Sequence, residues 1–328
     1  YLCWCYFGGV FGNFRFNFKI KNMRTYVYNN NNYIKVYNAD CLEIMQRLVN
    51  KGMQVDAIIT DPPYGYLDHK LDRRFDNQKF FELAYRLVKK DGFLIFFGRG
   101  VENARRMVIA EDVGFKFKEE IVWNKKNIGS PTHPLGRIHE IIYIFTKNNG
   151  TINRVYKEYT DEIFNYDDKD YIQILENDIK RIISGINSIK TYDDFLKWKN
   201  GDIKINGKIK FGITCRDNIN CDVAFALFNK YDQGALLKSI VSIFNSVKNS
   251  HSQIHPTEKP VKLLQILIEL IDNQQDNFTI LDPFAGSCSQ AVACYNLNKN
   301  FIGCEIDNEY FNAAVNRIYR ECPQKLFI

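Results

Sequence analysis

The chain has 328 residues, of which 45% are hydrophobic and 25% charged, and its formal net charge is +6. These values are ordinary for a globular protein with a sizeable core, and the mild basic excess permits nucleic-acid binding without requiring it. The nine cysteines are scattered and odd in number, which argues against a disulfide scaffold and favours reduced thiols. No Cys/His spacing suits a metal site, and no run of about 20 apolar residues predicts a membrane span.

The first 22 residues differ from the rest of the chain. They are aromatic and glycine-rich, begin without Met, and lack the basic start and the cleavage site of a signal peptide. A more conventional sequence begins at Met23. We therefore predict that residues 1–22 lie outside the functional domain, as a translated upstream stretch.

Residues 33–146 alternate short apolar runs with helical patterns. "YIKVYNAD", residues 56–60, "FLIFFG", "EEIVWNK" and "HEIIYIFTK" are typical of strands. "CLEIMQRLV" and "FFELAYRLV" are amphipathic helix patterns, the second of which is ended by "KKDG". "FLIFFG" is almost continuously apolar, as expected for a strand covered on both faces. This alternation predicts an α/β fold with a doubly wound sheet.

The loop after the strand at residues 56–60 combines an acid, two prolines and an aromatic ring: Asp61, Pro62, Pro63 and Tyr64. Prolines cannot donate to a sheet ladder, so the strand should stop at Asp61 and continue as a stiff loop. In an open α/β sheet, ligands bind at strand ends of this kind. The alternative is an ordinary proline-rich turn.

Residues 147–252 differ in composition, being rich in Asn, Lys, Asp and Ile, and are predicted to form an inserted subdomain. Within them "DIKINGKIKF" predicts a hairpin, because Asn206-Gly207 suits a type I′ turn. One face of this hairpin is apolar, and the other carries Lys204, Lys208 and Lys210. It is either an ordinary solvated hairpin or a ribbon that places these lysines on nucleic-acid phosphates.

The α/β pattern returns after His255 with the helix "VKLLQILIELI", the strand "FTILD", the helix "SQAVACYNLN" and the strand "NFIGCEID". One strand ends at Asp282, a tight turn at Gly286 allows close approach of a ligand, and the next strand ends with Glu305. Such a βαβ unit places an acid for ribose hydroxyls. Because these acids would repel a phosphate and no P-loop is present, a cationic nucleoside without phosphates fits better. A purely structural βαβ unit is the alternative.

These motifs, in this order, resemble those of the β-class S-adenosylmethionine-dependent DNA amino-methyltransferases, the N6-adenine/N4-cytosine DNA methylase family. The resemblance rests on the DPPY tetrapeptide at residues 61–64, "HPTEKP" at 255–260, "DPFAGS" at 282–287 and "FIGCEID" at 301–307. It implies a doubly wound Rossmann-like methyltransferase sheet with an inserted mixed α+β target-recognition region. It also implies S-adenosylmethionine as cofactor and double-stranded DNA as partner.

The resemblance divides the chain into a catalytic half at residues 23–146, a target-recognition region at 147–252 and a cofactor-binding half at 253–328. It implies a cytoplasmic enzyme of a bacterium or a phage-infected host, and residues 137–183 are similar in style to phage or prophage proteins. A homodimer and a cognate restriction endonuclease of a restriction-modification system stay open as partners.

The resemblance implies that the catalytic residues are Asp61, Pro62, Pro63 and Tyr64. Asp61 and the Pro62 carbonyl would accept both N–H bonds of the target amine, and Tyr64 would stack on a flipped base. Asp rather than Ser before the prolines favours adenine N6 over cytosine N4. A cytosine-N4 enzyme and a catalytically silent DNA-binding relative are the alternatives.

The resemblance also implies a cofactor site, in which Glu305 would hold the ribose hydroxyls. Asp40 would lie near the cofactor's adenine, although capping of the following helix is an alternative role. The implied cofactor-binding residues are Asp40, Asp61, His255, Thr257, Lys259, Asp282, Phe284, Ala285, Gly286 and Glu305.

Three further expectations concern residues outside the cofactor site. The predicted phosphate contacts are Lys125, Lys126, Arg137, Lys204, Lys208 and Lys210. Trp123 matches a family position, with core packing as the alternative. The family turn usually has a second glycine where this chain has Cys288, and a positive φ there would cost about 1 kcal/mol or more.

Overall fold

A nine-stranded sheet forms the centre of the protein in the computed structural model, which describes residues 22–28, 32–65, 74–125, 138–157, 197, 235–237, 239–243, 258–275 and 277–323. The strands are β1 (Asn22–Tyr28), β2 (Asn32–Asn38), β3 (Val55–Thr60), β4 (Val88–Gly98), β5 (Phe115–Asn124), β6 (His139–Lys147), β7 (Tyr156–Lys157), β8 (Ala235–Leu236), β9 (Ile240–Ser242), β10 (Thr279–Asp282) and β11 (Asn300–Glu305). The helices are α1 (Cys41–Asn50), α2 (Asn77–Leu87), α3 (Gly100–Asp112), α4 (Val261–Ile271), α5 (Ser289–Asn296) and α6 (Asn308–Glu321).

The large sheet has the strand order β1-β2-β11-β10-β3-β4-β6-β5-β9, and β7 pairs with β8 in a separate small sheet. Its five neighbouring strands β2, β11, β10, β3 and β4 are parallel. From β3 the chain continues to β4 on one side, whereas from β10 it continues to β11 on the other side. The carboxyl ends of β3 and β10 therefore form a topological switch point, where open α/β sheets bind ligands.

Helices cover both faces of the sheet, as the continuously apolar strands require. Along β4, Phe93, Ile95 and Phe97 pack in the core cluster that contains the buried residues of α4, α5 and α6. The intervening Leu94 and Phe96 pack in the cluster that contains those of α1 and α2. This arrangement confirms the predicted doubly wound α/β fold.

Most of the predicted strands and helices from β2 to β11 have counterparts in the structure, and the differences at β4 and α3 have a clear physical reason. β4 begins at Val88 rather than at Phe93, because "KKDG" forms an irregularity inside the strand between the pairs Val55–Val88 and Ala57–Phe93. Helix α3 has no counterpart in the prediction. Its buried residues are Asn103, Arg106 and Ala110, so its inward face lacks the apolar periodicity by which helices are recognised.

Much of the predicted insertion at residues 147–252, including the hairpin at 203–211, lies outside the described residues. Within that range β9 pairs in parallel with β5 at the edge of the large sheet, and its Val241 is fully buried. Residues 1–21 also lie outside the described part, which begins with β1 at Asn22. The extents of the terminal extension and of the insertion stay predictions.

In the described part of the chain, no helix combines the length and the apolar character needed to cross a membrane.

Candidate active site at the switch point of the sheet

The carboxyl ends of β3 and β10 are joined by a buried hydrogen bond at the switch point. The Thr60 hydroxyl donates to Asp282 Oδ1 at 2.7 Å, and the Phe284 backbone N–H donates to the same oxygen at 3.1 Å. Asp61 follows Thr60 directly, so the DPPY loop begins beside the turn that follows β10. Two motifs that lie far apart in the sequence thus meet at one edge of the sheet.

The carboxylate of Asp61 is held by two side chains, one from within its own loop and one from the 255–260 segment. The Tyr64 hydroxyl donates to Asp61 Oδ1 at 2.7 Å. The Lys259 ammonium forms an ion pair with Asp61 Oδ2, and the two side chains are 10% and 20% exposed. Each oxygen of the predicted catalytic carboxylate is therefore held by one partner, Oδ1 by Tyr64 and Oδ2 by Lys259.

Lys259 also belongs to a row of alternating charges, Asp61–Lys259–Glu140–Lys125, which we call the charge row. Its Nζ lies 3.5 Å from Glu140 Oε2 and 4.9 Å from the ring centroid of Phe97. Lys125 forms an ion pair with the other oxygen of Glu140. The charge row extends from the loop after β3 to strands β5 and β6.

Mutual pairing keeps the middle of the charge row ionised despite its burial. Burial alone would lower the pKa of Lys259, but the carboxylates of Asp61 and Glu140 outweigh it and raise that pKa above the ordinary lysine value. Burial alone would raise the pKa of Glu140, but Lys259 and Lys125 outweigh it and lower that pKa. Buried ions are tolerated when they are paired in this way.

Asp282 and Glu305, at the ends of β10 and β11, form a buried acidic pair. Burial raises the pKa of Asp282 to about 7, against the opposing hydrogen bonds from Thr60 and Phe284, and the charges of Asp61 and Glu305 raise it further. Burial also raises the pKa of Glu305, whose oxygens accept the backbone N–H of Gly286 at 3.0 Å and of Asp307 at 2.7 Å. A cationic ligand would relieve this concentration of negative charge, whereas a phosphate would add to it.

Cys288 adopts the left-handed conformation in the turn between β10 and α5, with φ 56° and ψ 33°. It is fully buried, and its N–H donates to the Ala285 carbonyl at 2.7 Å. A non-glycine residue pays about 1–2 kcal/mol for this conformation. The departure from the family's glycine therefore costs free energy at the turn that follows Asp282.

We expect Cys288→Val to destabilise the protein by at least about 2 kcal/mol more than Cys304→Val does, because β-branched residues strongly resist a positive φ. Cys304 is a matched control: it is 1% exposed, but it lies in strand β11, where valine is favoured. Urea unfolding of both variants measures the difference. Equal losses of stability would show that the left-handed turn is not the cause.

Two residues for which the sequence left alternatives have defined places in the structure. Asp40 caps α1, since its Oδ1 accepts the Leu42 N–H at 2.8 Å, so the capping role is confirmed and the cofactor contact stays a prediction. Trp123 is 1% exposed, and its indole N–H donates to the Ile243 carbonyl at 2.9 Å. Core packing of Trp123 is therefore confirmed.

The predicted DNA contacts are mostly untested. Lys125 pairs with Glu140, and its Nζ lies 5.1 Å from the ring centroid of Trp123, so a phosphate contact would require it to leave or share these partners. The remaining predicted DNA contacts and two predicted cofactor residues lie outside the described residues: Lys126, Arg137, Lys204, Lys208, Lys210, His255 and Thr257.

Two buried arginines at the site escaped the sequence analysis. Arg317 of α6 forms an ion pair with Glu258 at 2.7 Å and donates to the Ser289 hydroxyl at 2.9 Å, which ties Glu258 to the start of α5. Arg106 of α3 donates to the carbonyl of Pro63. Each arginine lies on a helix far from the motif it supports, so no local pattern marks it.

Comparison with known proteins bears on the family and the fold of the chain. A family model described as DNA methylase, of the N6/N4 type, matches residues 55–316. The Type II methyltransferase M1.MboII of Moraxella bovis is 26% identical over 295 residues, which cover 85% of this chain and 94% of that protein. The putative methylase YubD of Escherichia coli is 25% identical over 289 residues, which cover 85% and 88% of the two chains.

Solved structures share the fold. The M1.HpyAVI–SAM complex aligns with a TM-score of 0.54 and 22% identity, over 87% of this chain and 98% of that chain. The cytosine-N4-specific PvuII DNA methyltransferase aligns with a TM-score of 0.53 and 15% identity, over 93% and 91%. Because the family match spans most of the chain, from β3 through α6, this protein belongs to the N6/N4 DNA methylase family.

Proposed function

We propose that the protein methylates the exocyclic N6 of a flipped adenine in double-stranded DNA, with S-adenosylmethionine as the methyl donor. Membership of the family makes it a DNA methyltransferase that uses this cofactor. The assignment of adenine as the target base goes beyond family membership, and it rests on Asp61. This carboxylate, and not a serine hydroxyl, stands before Pro62 and is oriented by Tyr64 and Lys259.

The acidic pair of Asp282 and Glu305 suits S-adenosylmethionine, which is cationic and carries no phosphate. Asp282 and Glu305 would attract its positive charge, and Glu305 would hold the ribose hydroxyls. When bound, the cofactor supplies a methyl group activated by a sulfonium. The other residues proposed to surround it are Asp40, Asp61, His255, Thr257, Lys259, Phe284, Ala285 and Gly286.

The DPPY loop would hold the target amine by its hydrogens. An exocyclic amine is a poor nucleophile because its lone pair is delocalised into the ring. Acceptors at Asp61 and at the Pro62 carbonyl would favour a tetrahedral nitrogen with an available lone pair, which is catalysis by positioning and preorganised charge. Since the Tyr64 hydroxyl now occupies Asp61 Oδ1, the amine would take that place while Lys259 keeps Oδ2.

Nucleoside analysis tests the choice of base. The full chain is incubated with methyl-labelled S-adenosylmethionine and long unmethylated genomic DNA, which contains most short recognition sequences. The DNA is then digested and its nucleosides are identified by mass. We expect N6-methyldeoxyadenosine. Labelled N4-methyldeoxycytidine would overturn the adenine assignment, and cofactor binding without any labelled nucleoside would favour a silent DNA-binding protein.

Binding of S-adenosylmethionine should release a proton from Asp282 below about pH 7, because burial raises the pKa of this group to about 7 and a cation favours its charged form. Cofactor affinity should therefore rise with pH and level off above about pH 7. The folding stability of the free protein has the opposite pH dependence. A folded pKa above the unfolded value of 3.8 means that stability from this group is lost as pH rises toward 7.

Calorimetric titrations in buffers of different ionisation enthalpy measure this proton release. Asp282→Asn keeps the shape of the side chain and should remove Asp282's share of the release together with the pH dependence of affinity. Because Glu305 also has a raised pKa, only the difference between wild type and variant reports on Asp282. The same proton release in both proteins would contradict the prediction.

A further inference from the structure

We infer that Arg106 is a positioning residue for methyl transfer, which acts by holding the DPPY loop through the carbonyl of Pro63. The inference rests on the proposed role of that loop in binding the target amine. Arg106 lies on α3, outside the family motifs at residues 61–64, 255–260, 282–287 and 301–307. Its side chain is 2% exposed, which is unusual for an arginine.

The contacts of the guanidinium define its direction. Its Nη2 donates to the Pro63 carbonyl, and its Nε donates to Asn77 Oδ1 at 3.0 Å. Asn77 in turn donates to Glu102 Oε1 at 2.7 Å, one turn earlier on α3. Because a buried charge is costly without hydrogen bonds, the two contacts through Nε and Nη2 favour one orientation of the guanidinium. Asn77 of α2 and Glu102 of α3 therefore hold the guanidinium so that its Nη2 faces the DPPY loop.

The Pro63 carbonyl is an effective point at which to hold this loop. The rings of Pro62 and Pro63 already fix φ at both residues, which leaves mainly ψ free. Fixing the Pro63 carbonyl sets ψ at Pro63 and orients the peptide that leads into Tyr64. It thereby influences where the Tyr64 ring lies, and this ring is the one proposed to stack on the flipped base. The loop thus depends on a group outside itself for the value of ψ at Pro63.

A second contact links Arg106 to the turn after β10. The guanidinium lies 5.1 Å from the ring centroid of Phe75, and that ring lies 5.0 Å from the ring centroid of Phe284. Phe284 belongs to the turn proposed to hold the cofactor. Arg106 therefore contacts the DPPY loop directly and the turn after β10 through Phe75. A displacement of about 1 Å can cost about 10²-fold in rate.

Arg106→Lys is the informative substitution, because it keeps the positive charge and loses the planar fork that bonds Asn77 and Pro63 together. We expect kcat for total label transfer to DNA to fall about 10²-fold, with KM for DNA and the cofactor Kd changed by less than about threefold. Total transfer is counted whichever base is methylated. A merely structural role would lower the thermal midpoint and leave kcat per folded molecule unchanged.

Arg105→Lys is the matched control, since the neighbouring side chain is 69% exposed and contacts Glu102 at 3.2 Å. It should keep wild-type kinetics. Asn77→Ala is the second variant if Arg106→Lys does not fold, because it releases the guanidinium while leaving the arginine in place. Its kcat should fall about tenfold, as expected for loss of one orienting hydrogen bond to a charged group.

The outcomes separate the inference from the proposed function. Wild-type kcat per folded molecule in Arg106→Lys, or in Asn77→Ala if the former does not fold, would overturn the role of Arg106 and leave the function intact. Label on cytosine would overturn the adenine assignment while the Arg106 comparison still stands. Absence of transfer by the wild-type protein with bound cofactor would overturn both.

Discussion

Replacing Asp61 by alanine is expected to reduce single-turnover methyl transfer about 10³-fold while the protein stays folded. The expected loss is that of a preorganised acceptor at the reacting amine, which is worth about 10²–10³ in rate, together with lost positioning. The fold should survive because Lys259, which loses Asp61 as a partner, still lies 3.5 Å from Glu140. The buried ammonium therefore keeps one counter-charge.

Three measurements make the Asp61 result specific. Asp112→Ala, at an exposed acid at the end of α3, should transfer methyl groups at the wild-type rate. Asp61→Asn, which keeps the shape and one acceptor oxygen, should fall between alanine and wild type. Calorimetry measures the cofactor Kd of each variant. If the Kd rises by as large a factor as the transfer rate falls, Asp61 acts chiefly in cofactor binding. Methyl transfer retained in Asp61→Ala would remove the proposed mechanism.

Replacing Lys259 by methionine is expected to lower the free energy of unfolding by about 3–5 kcal/mol. The substitution removes the central cation of the charge row and leaves the carboxylates of Asp61 and Glu140, which are 20% and 14% exposed, without it. Removing one partner of an ion pair that is largely withdrawn from water is the costly way to break it. Lys262→Met, at an exposed lysine at the start of α4, should change stability by no more than about 0.5 kcal/mol. Urea unfolding of both variants measures these values.

The loss of unfolding free energy in Lys259→Met should depend on pH in a predictable direction. In the wild-type protein Lys259 and Lys125 hold the pKa of Glu140 below 4.5, so the stability from this pairing is present above that pH and is lost as pH falls. The difference in stability between wild type and variant should therefore be largest near neutral pH and shrink below about pH 4.5. A difference independent of pH would show that lost packing, not charge, causes the effect.

Most of the sheet and both motif loops were predictable because their signals are local. Continuous apolar runs such as "FLIFFG" mark strands buried on both faces, and prolines end β3 where the pattern places them. The parts that escaped prediction lack such signals. Helix α3 buries Asn103 and Arg106 rather than an apolar stripe, and "KKDG" interrupts β4 where the pattern suggests the end of a helix.

By itself, the sequence determined the alternation of strands and helices, the stiff acidic corner at residues 61–64 and the acids that end β10 and β11. Each follows from the chemistry of a few neighbouring residues. Only the tertiary structure decided that Lys259 meets Asp61 across 198 positions, that Arg106 reaches Pro63 from α3, and that Cys288 lies in the left-handed conformation. Those contacts join residues that are far apart in the sequence and meet only when the strands are ordered in the sheet. A local sequence pattern does not encode that order.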